Sequence, residues 1–437
     1  MTPFTAGHIS KPDEEFDGYA WTSEGEKILS RIALWLPWDV NCNGRIEVVL
    51  FQVGTEKPGP LSIKRLTGHE DQKNFSFEAI DPLIRQIDFD PKERHTGGVR
   101  LTITHIGSWL ISRGVKKEFQ QLALEVTFSD LQYALSSNFS KTDKDGNRST
   151  TPSTSHPFDF LDANGTTLST WQLQKHWHWQ KHSASHIAAS ASTVLKLIDG
   201  GAGLTSEQLT QTASDIGTLI SLAARHRVHI YRTVHEHGNV IRDNWLEPLV
   251  RPRATTEEEA CGPLVDASEL RSFIRIASQT WHGLSSDQKD AVRLAVFAIH
   301  PFTKQSMEAR FLNCFAALEG LVKRWMRKKN GGKFCPIYRD FSQKFPLEMD
   351  DLWPVCKSGM TNLYWFRNEF AHGRTVMHLP QGVLPIAMDH LHLLLELTLM
   401  KLLGYHRQKR TDWLTKEQIR NHEKNNALID SIRWLST

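Results

Sequence analysis

Trp365-Phe366-Arg367-Asn368-Glu369-Phe370-Ala371-His372-Gly373-Arg374 joins an apolar seam to a run of polar groups without a break. On a helix Asn368 and His372 lie four apart on one face, so the Asn amide can hydrogen-bond the imidazole and orient it. Arg367 stands about 100° round the helix from Asn368 and has the length to reach the same exposed patch. Phe366 and Phe370 call for burial, and Gly373 is a natural terminator. An exposed, oriented His beside an Arg is more than burial requires. The plainer alternative pairs Arg367 with Glu308 or Glu319 and leaves His372 to cap the helix end.

Helical spacing extends in both directions from this segment. Upstream, Leu352, Val355, Gly359, Leu363, Phe366 and Phe370 predict one long helix that Pro354 starts or kinks. An earlier helix is expected from Ser285, which forms a capping box with Gln288 and places Val292, Ala295, Val296 and Ile299 on one face before Pro301. A second, about 306–329, carries Phe311, Phe315, Leu318, Val322 and Trp325 on one stripe, and Asn330-Gly331-Gly332 stops it. Its cations Lys323, Arg324, Arg327, Lys328 and Lys329 suit the carbonyl end of the helix dipole, or an RNA backbone. Downstream, Met388, Leu391, Leu395, Thr398 and Leu402 predict a helix over about 383–403, ended by Gly404. Four helices in this order describe an up-and-down bundle, with one more amphipathic helix expected after Thr411.

Residues 285–405 resemble the HEPN superfamily, whose signature is Arg, a polar residue, a few further residues and His near the end of the third helix of a four-helical bundle. Arg367-Asn368-x-x-x-His372 matches it; Glu308-x-Arg310-Phe311 with Phe315-x-Ala317-Leu318-Glu319 looks like the family's second helix, and 391–405 like its fourth. The resemblance implies a metal-independent endoribonuclease that needs no cofactor. His372 would take the proton from an RNA 2′-hydroxyl, Arg367 would stabilise charge on the phosphorus oxygens and Asn368 would orient the His. Glu308 and Glu319 would support Arg367, and Tyr364 and Arg374 would bind phosphate or stack on a base. Two protomers typically bring their motifs together in the family, so RNA and a second copy of the chain are the implied partners. Relatives with a separate sensing domain act in anti-phage defence or toxin-like growth control, with the trigger sensed by the other domain. Other relatives have lost cleavage, and the alternative function is a non-catalytic module for dimerisation or for RNA or ligand binding.

The chain has 437 residues, 40% hydrophobic and 23% charged, which suits two or three folded domains. Lys plus Arg total 52 against 49 acidic residues, and a net charge of +3 is too slight to announce a nucleic acid through bulk electrostatics. Cys42, Cys261, Cys314, Cys335 and Cys356 include no Cys-x-x-Cys pair and read as reduced thiols of a cytoplasmic protein. No secretory signal is expected at the amino terminus, and no membrane segment: the richest apolar run, 391–403, is interrupted by His392, Glu396 and Lys401.

The class expected is α+β, a β-rich amino-terminal region followed by the helical bundle. Residues 1–136 read as a β-rich domain, with strand-like runs at 46–53, 99–106 and 122–128. Residues 137–170 read as a polar linker with little tight packing, and 171–250 as a mixed extension with strands at 185–198 and 227–234 around a helix at 206–224. Residues 251–284 read as a connector and 285–437 as the bundle with its terminal helix. His178, His182 and His186 recur every four residues, and His229, His235 and His237 would share a strand face; without a supporting carboxylate pattern both sets read first as solvated or loop-packing groups and no metal is placed in the expected site, a metal-dependent enzyme built on these clusters being the weaker third reading. Gly331-Gly332-Lys333 is followed by Phe334 where a P-loop needs Ser or Thr.

Overall fold

A computed structural model of the chain describes residues 14–22, 25–35, 45–50, 63–70, 75–89, 99–128, 141–142, 148–149, 156–181, 187–200, 204–225, 227–228, 230–246, 263–299, 305–327, 333–347, 354–356, 362–373 and 383–405. It is α+β, with a large antiparallel sheet in the amino-terminal part and most helices later. Two compact units divide it. The first comprises residues 1–155, 171–213 and 229–249; the second comprises 156–170, 214–228 and 250–437.

The strands are β1 (Glu14–Thr22), β2 (Lys27–Trp35), β3 (Arg45–Leu50), β4 (Ile63–Glu70), β5 (Phe75–Phe89), β6 (Val99–Phe128), β7 (Lys141–Thr142), β8 (Arg148–Ser149), β9 (Phe158–Leu161), β10 (Thr167–Lys181), β11 (Ile187–Asp199) and β12 (Ile230–Leu246). The main sheet runs β3-β2-β1-β4-β5-β6-β11-β10-β9, with β12 on β6. Because β3 also pairs β6, through Ile46–Ile103 to Leu50–Val99, strands β1 to β6 close into a ring. Period-two alternation fills its inside with Phe16, Ala20, Ile32, Leu34, Leu66, Phe77 and Ala79, all buried. The runs expected separately at 99–106 and 122–128 are parts of the single 30-residue β6. Gly107 and Gly114 do not end it, since β5 pairs along residues 99–113 and β12 along 108–128.

The helices are α1 (Ser206–Ala224), α2 (Leu270–Gly283), α3 (Ser286–Ile299), α4 (Met307–Trp325), α5 (Phe334–Lys344), α6 (Leu363–Ala371) and α7 (Val383–Leu402). Helix α1 has the expected span, but Thr205 caps it in place of the Ser206 that the sequence suggests: the Thr205 hydroxyl accepts from the Gln208 N–H at 3.3 Å while the Gln208 amide oxygen accepts from the Thr205 N–H at 2.8 Å. Helix α3 starts with the expected capping box between Ser285 and Gln288 and buries Val292, Ala295, Val296 and Ile299. In the second unit α4 is central, packing on α3, α5, α6 and α7, with Phe311, Phe315, Leu318 and Val322 buried.

Four expectations are corrected. Within the expected linker, residues 156–170 form a packed hairpin: the Asp162 carboxylate accepts from the Asn164 and Thr166 N–H groups at 2.9 and 2.8 Å, and Phe158, Phe160 and Leu161 are buried. The expected connector contains α2, which buries Leu270, Phe273, Ile274, Ala277 and Trp281. The long third helix is the nine-residue α6 alone; the carbonyls of Pro354 and Val355 accept from the Leu363 and Tyr364 N–H groups, so these residues run beside its start, and α5 lies upstream. Two of the cysteines are not free thiols, because Cys335 and Cys356 form a disulfide. The tail after Thr411 lies outside the described residues. Among those described, no helix is long and apolar enough to cross a membrane.

Candidate functional site

Helix α6 is set by its two ends and one apolar face. The Asn362 side chain accepts from the Trp365 N–H at 2.8 Å, an N-cap that satisfies one of the first-turn donors. Leu363, Phe366 and Phe370 are buried, and the rings of Phe366 and Phe370 lie 5.9 and 5.5 Å from that of Phe311 on α4. Tyr364 packs its ring between Phe315 and Phe334, at 6.1 and 5.8 Å. His372 is the C-cap, its N–H donating to the Asn368 carbonyl at 3.1 Å, and Gly373 follows with φ +66°.

This packing holds the polar face in a defined arrangement. One Arg367 Nη donates to the Asn368 side-chain oxygen at 3.1 Å, and the other stands 3.7 Å from a Glu319 carboxylate oxygen on α4. The other Glu319 oxygen meets Lys323 Nζ at 2.6 Å. Arg367 thus belongs to a line of groups, Lys323, Glu319, Arg367 and Asn368, with two cations and one carboxylate. The expected bond from Asn368 to the His372 ring is replaced by the bond to Arg367. Among the described residues the His372 side chain is exposed and has no hydrogen-bond partner.

Of the supporting residues, Glu319 and Tyr364 come to the motif. Glu308 is exposed in the first turn of α4 and has no ion pair among the described residues; it lies 11 residues, about three turns, before Glu319. Arg374 lies outside the described residues. Lys323 has the role that sequence reasoning missed, its i,i+4 spacing from Glu319 being the available signal.

Among the described residues the histidine clusters form no comparable centre. His178 lies in strand β10, which removes the helical i,i+4 stripe, and His182, His186 and His229 lie outside the described residues. His235 on β12 is half-buried, with Ser206 Oγ at 2.6 Å from Nδ1, and burial together with Arg242 pushes its imidazole below the ordinary value. Among the described residues no group of three or more His, Cys, Asp or Glu side chains is placed to hold a metal ion. Comparison of the chain with protein-family models, curated proteins and solved structures finds no match.

Proposed function

We propose that the chain is a metal-independent endoribonuclease of HEPN type, with α3, α4, α6 and α7 as its bundle and Arg367 and His372 contributing to a composite site in a cytoplasmic homodimer. The observation that carries this reading is the contrast at the end of α6: Arg367 is braced by Asn368 and Glu319, while His372 projects into solvent after a terminated helix. In the reaction the His372 imidazole takes the 2′-hydroxyl proton, the 2′ oxygen attacks phosphorus, and the 5′ oxygen leaves with a proton returned by imidazolium. Arg367 donates to the phosphorus oxygens as their charge grows. The products are a 2′,3′-cyclic phosphate and a 5′-hydroxyl, and DNA, lacking the nucleophile, resists.

Cleavage of labelled single-stranded RNA in EDTA is the test. Activity is expected to survive chelation, to give cyclic-phosphate ends, and to disappear almost entirely in His372→Ala. Unchanged activity in that variant would sink the assignment. A binding module is the second reading, favoured by the engagement of Arg367 with Glu319; RNA binding without cleavage would select it. The biological role follows from the same resemblance: RNA cleavage that halts growth in antiviral defence, with the amino-terminal unit sensing the trigger. Phage restriction that requires both Arg367 and His372 is the corresponding cellular result.

A further inference from the structure

Three cysteines among the described residues differ in what they can do. Cys314 on α4 is buried, donates to the Ala298 carbonyl at 3.3 Å, and has its thiol pushed up to about 12 by burial, so it stays protonated and inert. Cys335 and Cys356 are half-buried, within reach of small reagents, and joined to each other with Cα atoms 5.5 Å apart.

The bridge stands at the foot of α6. Cys335 is the second residue of α5, and its neighbour Phe334 stacks on Tyr364 in the first turn of α6. Cys356 directly follows Pro354 and Val355, whose carbonyls accept from the Leu363 and Tyr364 N–H groups at 3.1 and 3.0 Å. Those two donors open the helix and have no partner within it. A helix of nine residues has little stability of its own and depends on such anchors. One covalent bond therefore fixes the segment that satisfies the start of the helix carrying Arg367, Asn368 and His372.

We propose that Cys335 and Cys356 form a reversible thiol–disulfide modification site whose small-molecule partner is a low-molecular-weight thiol or its disulfide, and that the bridged state orders α6. In the reducing direction a thiolate attacks one bridge sulfur, giving a mixed disulfide and one free cysteine thiolate. A second thiolate attacks the mixed disulfide and releases the other cysteine; two thiols become one small disulfide, and two electrons and two protons end on Cys335 and Cys356. Oxidised glutathione drives the reverse. Breaking the bridge frees residues 354–356 from α5, weakens the carbonyl anchors and frays the first turn of α6. Only the consequence for RNA cleavage rests on the ribonuclease reading.

The experiment uses the full chain after oxidised glutathione or after dithiothreitol, with intact-mass analysis, peptide mapping, and amide exchange at Leu363 and Tyr364. Expected after oxidation are a Cys335–Cys356 peptide and slow exchange; after reduction, two newly alkylated cysteines at these positions and exchange roughly fivefold faster or more. The Cys335→Ser/Cys356→Ser variant should match the reduced protein under both conditions, and RNA cleavage should fall with the loss of protection. Failure of the bridge to form, or a bridge that leaves exchange at Leu363 and Tyr364 unchanged, overturns the proposal. Absence of RNA cleavage in both redox states overturns the ribonuclease reading instead, and the exchange result still decides this one.

Discussion

Two arginine–glutamate pairs in the helical unit use the same chemical groups to different ends. Arg225, just past the end of α1, meets Glu396 of α7 through two hydrogen bonds of 2.8 and 2.6 Å, and the side chains are only 6% and 3% exposed. Arg367 approaches Glu319 at 3.7 Å, with the side chains 36% and 20% exposed. A charge taken out of water needs its partner in full, because an unpaired buried ion is costly. The Arg225 pair is accordingly bidentate and closed. Arg367, by contrast, keeps donors of its planar guanidinium unengaged by the described residues, in a position that water reaches. The difference separates a closed, buried pair from an open one, and on the proposed reading the open one receives a phosphate.

Arg225→Ala tests the first half of that contrast and should have the largest effect on stability. It strands the Glu396 carboxylate inside the helical unit, at an expected cost of about 3–5 kcal/mol. Urea unfolding followed by circular dichroism should show the midpoint falling, and the Arg225→Met/Glu396→Leu pair should recover most of the loss. A midpoint unmoved by Arg225→Ala would erase the distinction. Arg367→Ala tests the other half. Cleavage should drop by roughly 10²–10³-fold, as for removal of a transition-state donor, while stability changes by less than about 1 kcal/mol, because the pair is solvent-screened. Destabilisation as large as that of Arg225→Ala would make Arg367 a structural residue.

The parts of this arrangement visible in the sequence were those written in contiguous residues. The capping box of Ser285 and Gln288, the stripe from Phe311 to Val322 and the apolar run ending at Gly404 each combine period with punctuation, and α3, α4 and α7 follow them. Helices α2 and α5 carry the same period in Phe273, Ile274, Ala277 and Trp281, and in Phe334, Ile337 and Phe341. Pro336 stands in the first turn of α5, where proline is tolerated because the N–H groups lack helical partners anyway. Conversely, Leu352 and Val355 extended the spacing of α6 past Asn362, where the cap starts the helix. The hairpin at 156–170 was hidden by its polar composition, since its few apolar residues bury against α2, a contact between segments more than 100 residues apart. Arg367, Asn368 and His372 could be named because they are neighbours in sequence. Which of the two expected carboxylates meets Arg367, Glu319 and not Glu308, and the bridge from Cys335 to Cys356, are set only once the segments around α4, α5 and α6 have packed.

The smallest effect concerns the residue that releases His372 into solvent. Gly373 has φ +66°, a left-handed conformation in which its N–H donates to the Phe370 carbonyl at 3.0 Å. A Cβ there would meet no described atom within 4 Å, so among the described residues the cost of a side chain is that of the backbone. Gly373→Ala should therefore destabilise the chain by about 1 kcal/mol, and Gly373→Asn by less, since Asn tolerates this conformation best after glycine. The pair sharpens the comparison because the backbone N–H of His372 is itself part of the cap, donating to Asn368 at 3.1 Å. If the terminator places the imidazole, cleavage should follow the order Gly, Asn, Ala at this position, while Arg367, held by Glu319 from another helix, keeps its RNA affinity in all three. Equal cleavage in the three proteins would show that the helix end does not position His372, whatever it contributes to stability.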